Sequence, residues 1–249
     1  MTYKTYLKKE IMEHSRKYRL LILFIVILIS AFSAPVILYF LPKILESQTN
    51  ASMDLTMLFD TGQVPAIQNF INDMYEIPGI LIIVFAASTF VNEFTKETIV
   101  IPYSNGLNFK AMVLSKYTVY AVMITGLVGL GFIINHFYSG IVFNDFTARV
   151  QFTLQAFIAY SLFMLYHVSI VVLASVYTKR LFPVISITLA SYFILPSLME
   201  LLQIKIGPYY LIKAFKLGPI NDNIIYSMIG TIVIIGVFII ISLRKRIDI

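Results

Sequence analysis

The imidazole of His167 could take part in chemistry deep inside a membrane, because this residue lies in the middle of a long apolar run. Tyr160 lies about two helical turns earlier and falls on the same face of a helix. A polar centre of this kind predicts an ion- or proton-coupled secondary transporter or channel that uses His167. The other interpretation is a packed histidine bonded to a neighbouring helix, which is the more common outcome. The sequence therefore offers Tyr160 and His167 as transport-path candidates.

The motifs of common enzymes and metal centres are absent from the sequence. It contains no GxxxxGK[ST] loop to hold ATP phosphates, no HExxH and no GxSxG. No second His or acid lies within one turn of His167, so we expect no metal site there. The chain has no cysteine, which excludes disulfides and thiol nucleophiles. We expect a protein that is not an enzyme and has neither a catalytic residue nor a cofactor of its own.

Six long apolar runs provide the elements that would position these residues. They cover residues 20–41, 77–94, 117–137, 152–176, 181–202 and 224–243. Each is close to the roughly 20 residues that a helix needs to cross a bilayer. The runs lack the alternation of barrel strands, and the chain is 59% hydrophobic with 13% charged residues. These features predict an all-α integral membrane protein in which residues 1–249 form a single transmembrane domain.

Basic residues are distributed unevenly between the two ends of these runs. With the N-terminus in the cytoplasm, fourteen of the nineteen Lys and Arg residues fall inside. The positive-inside rule therefore predicts a multi-pass protein of the plasma membrane with both termini cytoplasmic. The net charge of +6 lies mainly on these flanks. Membrane lipids with anionic headgroups are the expected partners there, and nucleic acid is not.

Three hydrophilic segments outside the spans have recognisable patterns. Residues 1–19 predict a helix in the inner interface, since apolar residues such as Tyr6 and Ile11 fall near one face and the lysines elsewhere. The outer segment 42–76 mixes apolar and acidic residues, which favours partial helices on the outer surface. Two Gly-Pro pairs in the outer segment 203–223 predict short re-entrant or surface helices.

The inner connector between the second and third spans, residues 92–116, is the most distinctive hydrophilic segment. It reads NEFTKETIVIPYSNGLNFKAMVLSK, and Pro102 with residues 104–106 predicts a turn between two short helical pieces. An amphipathic connector of this kind is suited to packing against another protein. An ordinary helical hairpin loop would have the same pattern, so the residues alone leave both interpretations open.

The connector and the C-terminus resemble those of ABC type-2 exporter permeases. Connectors of that family read as an acid, a basic-Gly-Thr-hydrophobic element, a turn, and a Gly-Lys before the third span. The matching residues here are Glu93, residues 96–99, residues 104–106 and residues 115–116. Glu97 replaces the family's glycine, and the turn has no arginine. The final residues 244–249, RKRIDI, are similar to the family's terminal basic-basic-Asp-aliphatic run.

The resemblance implies that the chain is half of a membrane dimer, with a second permease subunit, identical or paralogous. An ABC ATPase subunit would dock on each half and would bind the ATP and Mg. Residues 92–106 would form the coupling helix, with Asn92, Glu93, Lys96, Thr98, Ser104 and Asn105 as ATPase-coupling candidates. The chain also resembles permeases of peptide-handling exporters, such as exporters of phenol-soluble modulins and lantibiotic-immunity transporters. This resemblance implies that the cargo would be amphipathic peptides or other hydrophobic compounds.

Overall fold

The described part of the chain consists almost entirely of helices. The computed structural model describes residues 3–16, 18–49, 61–95, 108–217 and 222–244. These residues form eight α-helices: α1 (Tyr3–Arg16), α2 (Arg19–Thr49), α3 (Gln63–Thr95), α4 (Phe109–Phe143), α5 (Val150–Thr178), α6 (Leu181–Leu201), α7 (Pro208–Leu217) and α8 (Asp222–Arg244). Among them, α2 to α6 and α8 are long and apolar enough to cross a membrane. The chain is an all-α integral membrane protein, as its apolar runs predict.

The central helix of the bundle is α5, which packs against α3, α4, α6, α7 and α8. Within the apolar stretch of α5, 72% of the residues are buried by protein, against 17% for α8. Isoleucines such as Ile225, Ile229 and Ile232 are exposed on α8. Exposed apolar side chains are stable on a peripheral span because lipid, not water, is its solvent.

The second span is longer than its apolar run. Its helix begins at Gln63, whereas the apolar run predicts a start at residue 77. Asp73 and Glu76 precede the apolar run, and the helix already runs through them. The preceding helix likewise runs on to Thr49. The prediction of separate partial helices is therefore wrong for the described parts of this outer segment, and residues 50–60 lie outside the described residues.

Gln63 holds the first turn of α3 against the neighbouring helices. Its side chain is fully buried, and its Nε2 donates to the backbone oxygen of His136 at 2.9 Å. Its Oε1 accepts from the backbone nitrogen of Ala148, also at 2.9 Å. One amide side chain thus satisfies polar groups on both α4 and the loop that follows it.

The short helix α7 confirms the helical part of the prediction for residues 203–223. It begins at Pro208, directly after Gly207, whose φ of +113° suits glycine. Its buried residues Tyr209, Leu211 and Ile212 pack on α5 and α8. The second Gly-Pro pair, residues 218–219, lies outside the described residues.

The antiparallel order of the spans brings three chain segments to one end of the bundle. These are α1, the last turn of α3 and the first turns of α4, which contact one another through side chains described below. We call this the α1 end. The described ends of the connector, residues 92–95 and 108–116, belong to this end, and its middle part, residues 96–107, lies outside the described residues. Gln63 and the loop between α4 and α5 lie at the opposite end.

Candidate functional site

A buried lysine joins three helices at the α1 end. The side chain of Lys116, on α4, is 2% exposed. Its Nζ lies 2.9 Å from Oε2 of Glu10 on α1 and 3.0 Å from Oε1 of Glu93 on α3. An ammonium group removed from water is stable only when opposite charges and hydrogen bonds replace its hydration. Lys116 therefore requires α1 and α3 to stay in contact with α4.

Two further charged residues complete this group, which we call the ion cluster: Lys9, Glu10, Glu13, Glu93 and Lys116. Nζ of Lys9 lies 3.2 Å from Oε1 of Glu93, and the Lys9 side chain is half exposed. Carboxylate oxygens of Glu10, Glu13 and Glu93 lie within 4.8 Å of one another. Burial raises the pKa of Glu10, and the Lys116 ammonium opposes that shift.

The three carboxylates of the ion cluster lie close enough to share a divalent cation. However, Nζ of Lys116 already contacts both Glu10 and Glu93. The ammonium groups of Lys116 and Lys9 thus supply the two positive charges that a divalent cation would provide. We interpret the ion cluster as a set of contacts between helices and not as a metal centre.

A second polar network connects α2 to the same place. Nη1 of Arg19 donates to Oγ1 of Thr89 at 2.6 Å, and this Oγ1 lies 2.6 Å from the hydroxyl of Tyr120. The rings of His14 and Tyr120 pack in a T-shaped arrangement, with centroids 4.9 Å apart. Arg19 also lies over the ring of Phe85, at 5.9 Å from its centroid. The start of α2 is thereby fixed to α3 and α4 beside the ion cluster.

The first helix packs through a polar face. Among the α1 side chains that the structure describes, the buried ones are Tyr6, Glu10 and His14, spaced by four residues. The apolar stripe that predicts an interfacial helix coincides only in part with the face that meets the bundle, since Tyr6 is buried whereas Ile11 is 53% exposed. The physical reason is Lys116, whose buried charge needs the Glu10 carboxylate. The prediction of a helix over residues 1–19 is confirmed for Tyr3–Arg16.

Only one of the ATPase-coupling candidates is placed in this cluster. Glu93 belongs to it, and Asn92 precedes it on α3 with a partly exposed side chain. The remaining candidates lie outside the described residues; they are Lys96, Thr98, Ser104 and Asn105. The resemblance also matches Lys116 to the end of the connector, and the structure places this residue next to Glu93.

The two transport-path candidates lie in the packed centre of the bundle, and both are fully buried. The Tyr160 hydroxyl donates to the backbone oxygen of Met74 at 2.5 Å. Nδ1 of His167 donates to the backbone oxygen of Phe163 at 2.9 Å, which fixes the tautomer and leaves Nε2 as the acceptor. Nε2 has no hydrogen-bond partner among the described residues. Neither side chain reaches solvent or lipid in this conformation.

Aromatic rings enclose His167. The centroids of Phe163, Tyr192 and Tyr166 lie 4.5, 4.9 and 5.0 Å from the centroid of its imidazole. The Tyr192 hydroxyl donates to the backbone oxygen of Tyr75, and the Tyr75 hydroxyl donates to that of Tyr192, both at 2.7 Å. This reciprocal pair binds α3 to α6. His167 is therefore packed, but its hydrogen bond goes to Phe163 in its own helix, whereas the packed interpretation expects a bond to a neighbouring helix.

Sequence reasoning missed the part that Glu10 and Arg19 play at the α1 end. Both read as ordinary charges on a membrane flank, and their partners Lys116 and Thr89 are 106 and 70 residues away in the chain. The spacing of neighbouring residues in the sequence does not predict contacts between residues so far apart in the chain. Comparison with known proteins adds no assignment: no protein-family model matches the chain, and no curated protein matches it.

Proposed function

We propose that this chain is the membrane-spanning permease subunit of an ATP-driven ABC exporter. It would act with a separate ATPase subunit and a second permease subunit. The cargo would be amphipathic peptides or other hydrophobic compounds that leave the cell. The observation that carries the proposal is the ion cluster, because it links the helices on both sides of the connector to α1.

The position of the ion cluster suits the transmission of force. Glu93 and Lys116 lie near the two ends of the connector, three residues before and nine residues after its middle part, residues 96–107. A partner that pushes on the connector would move α3 and α4 together, because the Glu93–Lys116 contact holds them at 3.0 Å. Glu10 would carry the same displacement to α1. Rigid movement of packed helices is an established way to open and close a protein.

Two features of the sequence support an external source of energy. The chain lacks the GxxxxGK[ST] loop that holds ATP phosphates, so the proposal assigns ATP and Mg to the partner. The positive-inside rule predicts that the connector lies in the cytoplasm, where ATP is available.

The test is whether an ATPase stays bound to the protein when it is purified. We expect the tagged chain, extracted in mild detergent from the organism that encodes it, to retain an ATPase in fixed stoichiometry. Combining Glu93→Gln with Thr98→Ala should reduce the amount retained by about tenfold, the equivalent of about 1.4 kcal/mol of binding. Quantitative mass spectrometry and ATP hydrolysis by the purified complex measure the effect.

A matched pair of substitutions at the opposite end serves as the control. Asp145 and Thr147 are also an acid and a threonine, and they bond to each other in the loop between α4 and α5. Asp145→Ala with Thr147→Ala should leave the ATPase bound. The proposal would be contradicted if the purified chain, with no ATPase bound, transported cargo in vesicles that lack ATP. That result would favour the secondary transporter that uses His167.

A further inference from the structure

A cavity of about 490 Å³ lies between α4 and the first turns of α5, on the outside of the bundle. This volume is within the range of ligand sites in proteins. Two glycines make room on the α4 side. A Cβ added at Gly126 would have no atom within 4 Å, whereas one at Gly129 would lie 3.2 Å from the ring of Phe157. The exposed side chains of Ile133 and Leu154 also line the cavity, so it is open to lipid.

His136 supplies the one free hydrogen-bonding atom of the described cavity lining. Its side chain is 8% exposed, and its Nδ1 lies 2.8 Å from Oγ1 of Thr153, which also lines the cavity. Its Nε2 has no partner among the described residues but retains accessible surface, unlike the sealed Nε2 of His167. The hydroxyl of Thr125, the other polar lining side chain, donates to the backbone oxygen of Ala121 in its own helix. An unpaired polar atom in apolar surroundings favours any ligand that can bond to it.

The position of His136 along α4 sets the depth of this atom in the membrane. His136 comes next to last in the third apolar run, residues 117–137, and Lys116 directly precedes that run. The helix between Lys116 and His136 is about 30 Å long, the thickness of the hydrocarbon layer. Nε2 of His136 therefore lies near the membrane boundary opposite the α1 end. The cavity extends from there to Gly126, about 15 Å along the helix and about half of the hydrocarbon layer.

The lining selects an uncharged occupant that carries a hydroxyl group. None of the lining residues is Asp, Glu, Lys or Arg, so a charged group would lose its hydration without gaining a counterion. The Thr153 hydroxyl can donate to Nδ1 of His136 or accept from it. Nε2 is accordingly an N–H donor in the first case and an acceptor in the second. A hydroxyl group can pair with Nε2 in both cases, whereas an ester carbonyl can do so only in the first.

We propose that this cavity binds one uncharged glycerolipid with a free hydroxyl, of the diacylglycerol class. Its hydroxyl pairs with Nε2 of His136, and one acyl chain lies over Gly129 and Gly126. The length of the cavity fits a lipid of a single leaflet. An extended peptide fits less well, because the apolar lining would leave its backbone N–H and C=O groups unpaired. The site lies far from the ion cluster and does not depend on the proposed function.

Two lipids that differ only at the hydroxyl test this assignment. The purified full chain is titrated with dioleoylglycerol or with the same lipid acetylated at its hydroxyl, and bound lipid is counted by native mass spectrometry. We expect wild type to bind one dioleoylglycerol at least about fivefold more tightly than the acetylated lipid, because one hydrogen bond separates them. His136→Phe keeps a ring but removes Nε2, so it should bind the two lipids equally.

A second variant tests the cavity without changing His136. Gly126→Leu should fill the space for the acyl chain and weaken the binding of both lipids at least about tenfold. Gly230→Leu on α8 is the matched control, because a Cβ at Gly230 also has no atom within 4 Å. It should bind both lipids as wild type does. Thermal unfolding of each variant shows that the comparison is made on folded protein.

Four results would overturn this site. Equal binding of the two lipids by wild type, or an unchanged preference in His136→Phe, would show that Nε2 does not read the hydroxyl. Equal lipid binding by Gly126→Leu and Gly230→Leu would show that the lipid lies elsewhere. Tighter binding of phosphatidylglycerol than of dioleoylglycerol would show that the occupant is charged. Loss of a dimer in Gly126→Leu with unchanged lipid binding, measured by light scattering, would assign the cavity to a second copy of the chain.

Discussion

Lys116→Met is expected to destabilise the protein by about 3–5 kcal/mol. The substitution keeps the length of the side chain but removes the buried charge that contacts both Glu10 and Glu93. Glu10 is fully buried, so its carboxylate would lose its counterion without gaining water. Thermal unfolding in detergent micelles should show a midpoint lower by roughly 10 °C.

Two companion variants isolate the effect of the buried charge. Lys110→Met removes an exposed lysine from the first turns of the same helix and should change stability by less than about 0.5 kcal/mol. Adding Glu10→Gln and Glu93→Gln to Lys116→Met should restore part of the lost stability, because no unpaired carboxylate remains. If Lys116→Met and Lys110→Met unfold at the same temperature, the ion cluster does not hold α1 in place.

Gly79→Ala is expected to cost about 1–3 kcal/mol through steric overlap. The added Cβ would overlap the Tyr192 hydroxyl oxygen and lie 2.9 Å from the Cζ of that ring and 3.2 Å from the backbone oxygen of Met74. Tyr192 cannot easily move aside, since it is fully buried and stacks on Tyr75 with centroids 4.5 Å apart. The same unfolding experiment measures the loss.

Gly236→Ala provides the control for this prediction. A Cβ at Gly236, on α8, meets no atom within 4 Å. Because alanine favours a helix over glycine by up to about 1 kcal/mol, Gly236→Ala should be neutral or stabilising. Equal stability of Gly79→Ala and Gly236→Ala would mean that α3 and α6 are not packed as closely as described.

The number and type of the spans could be predicted because each span is encoded locally. An apolar run of about 20 residues without alternation has few stable structures in lipid other than a helix. The prediction was wrong at the start of α3, where Asp73 and Glu76 lower the local hydropathy. Tertiary contacts decide the helix there: Gln63 bonds to α4 and its loop, and Phe70 is fully buried.

The candidate site was less predictable because its contacts join distant parts of the chain. Glu93 was identified through the resemblance of the connector, but its neighbour Glu10 had no comparable signal. A lysine next to an apolar run normally marks the water boundary, whereas Lys116 is buried. The apolar stripe of α1 predicts a helix but not the face that meets the bundle. The buried charge of Lys116 determines that face, because it needs the Glu10 carboxylate.

The side of the membrane on which the connector lies is the most direct test of the proposed function. The chain has no cysteine, so a single introduced cysteine reports its own position. Lys110 is exposed in the described end of the connector, and Phe146 is 61% exposed in the loop at the opposite end. In intact cells, we predict that a membrane-impermeant maleimide labels Phe146→Cys and spares Lys110→Cys, with the reverse in inverted vesicles. Labelling of Lys110→Cys from outside the cell would place the connector beyond the reach of any ATPase and contradict the account.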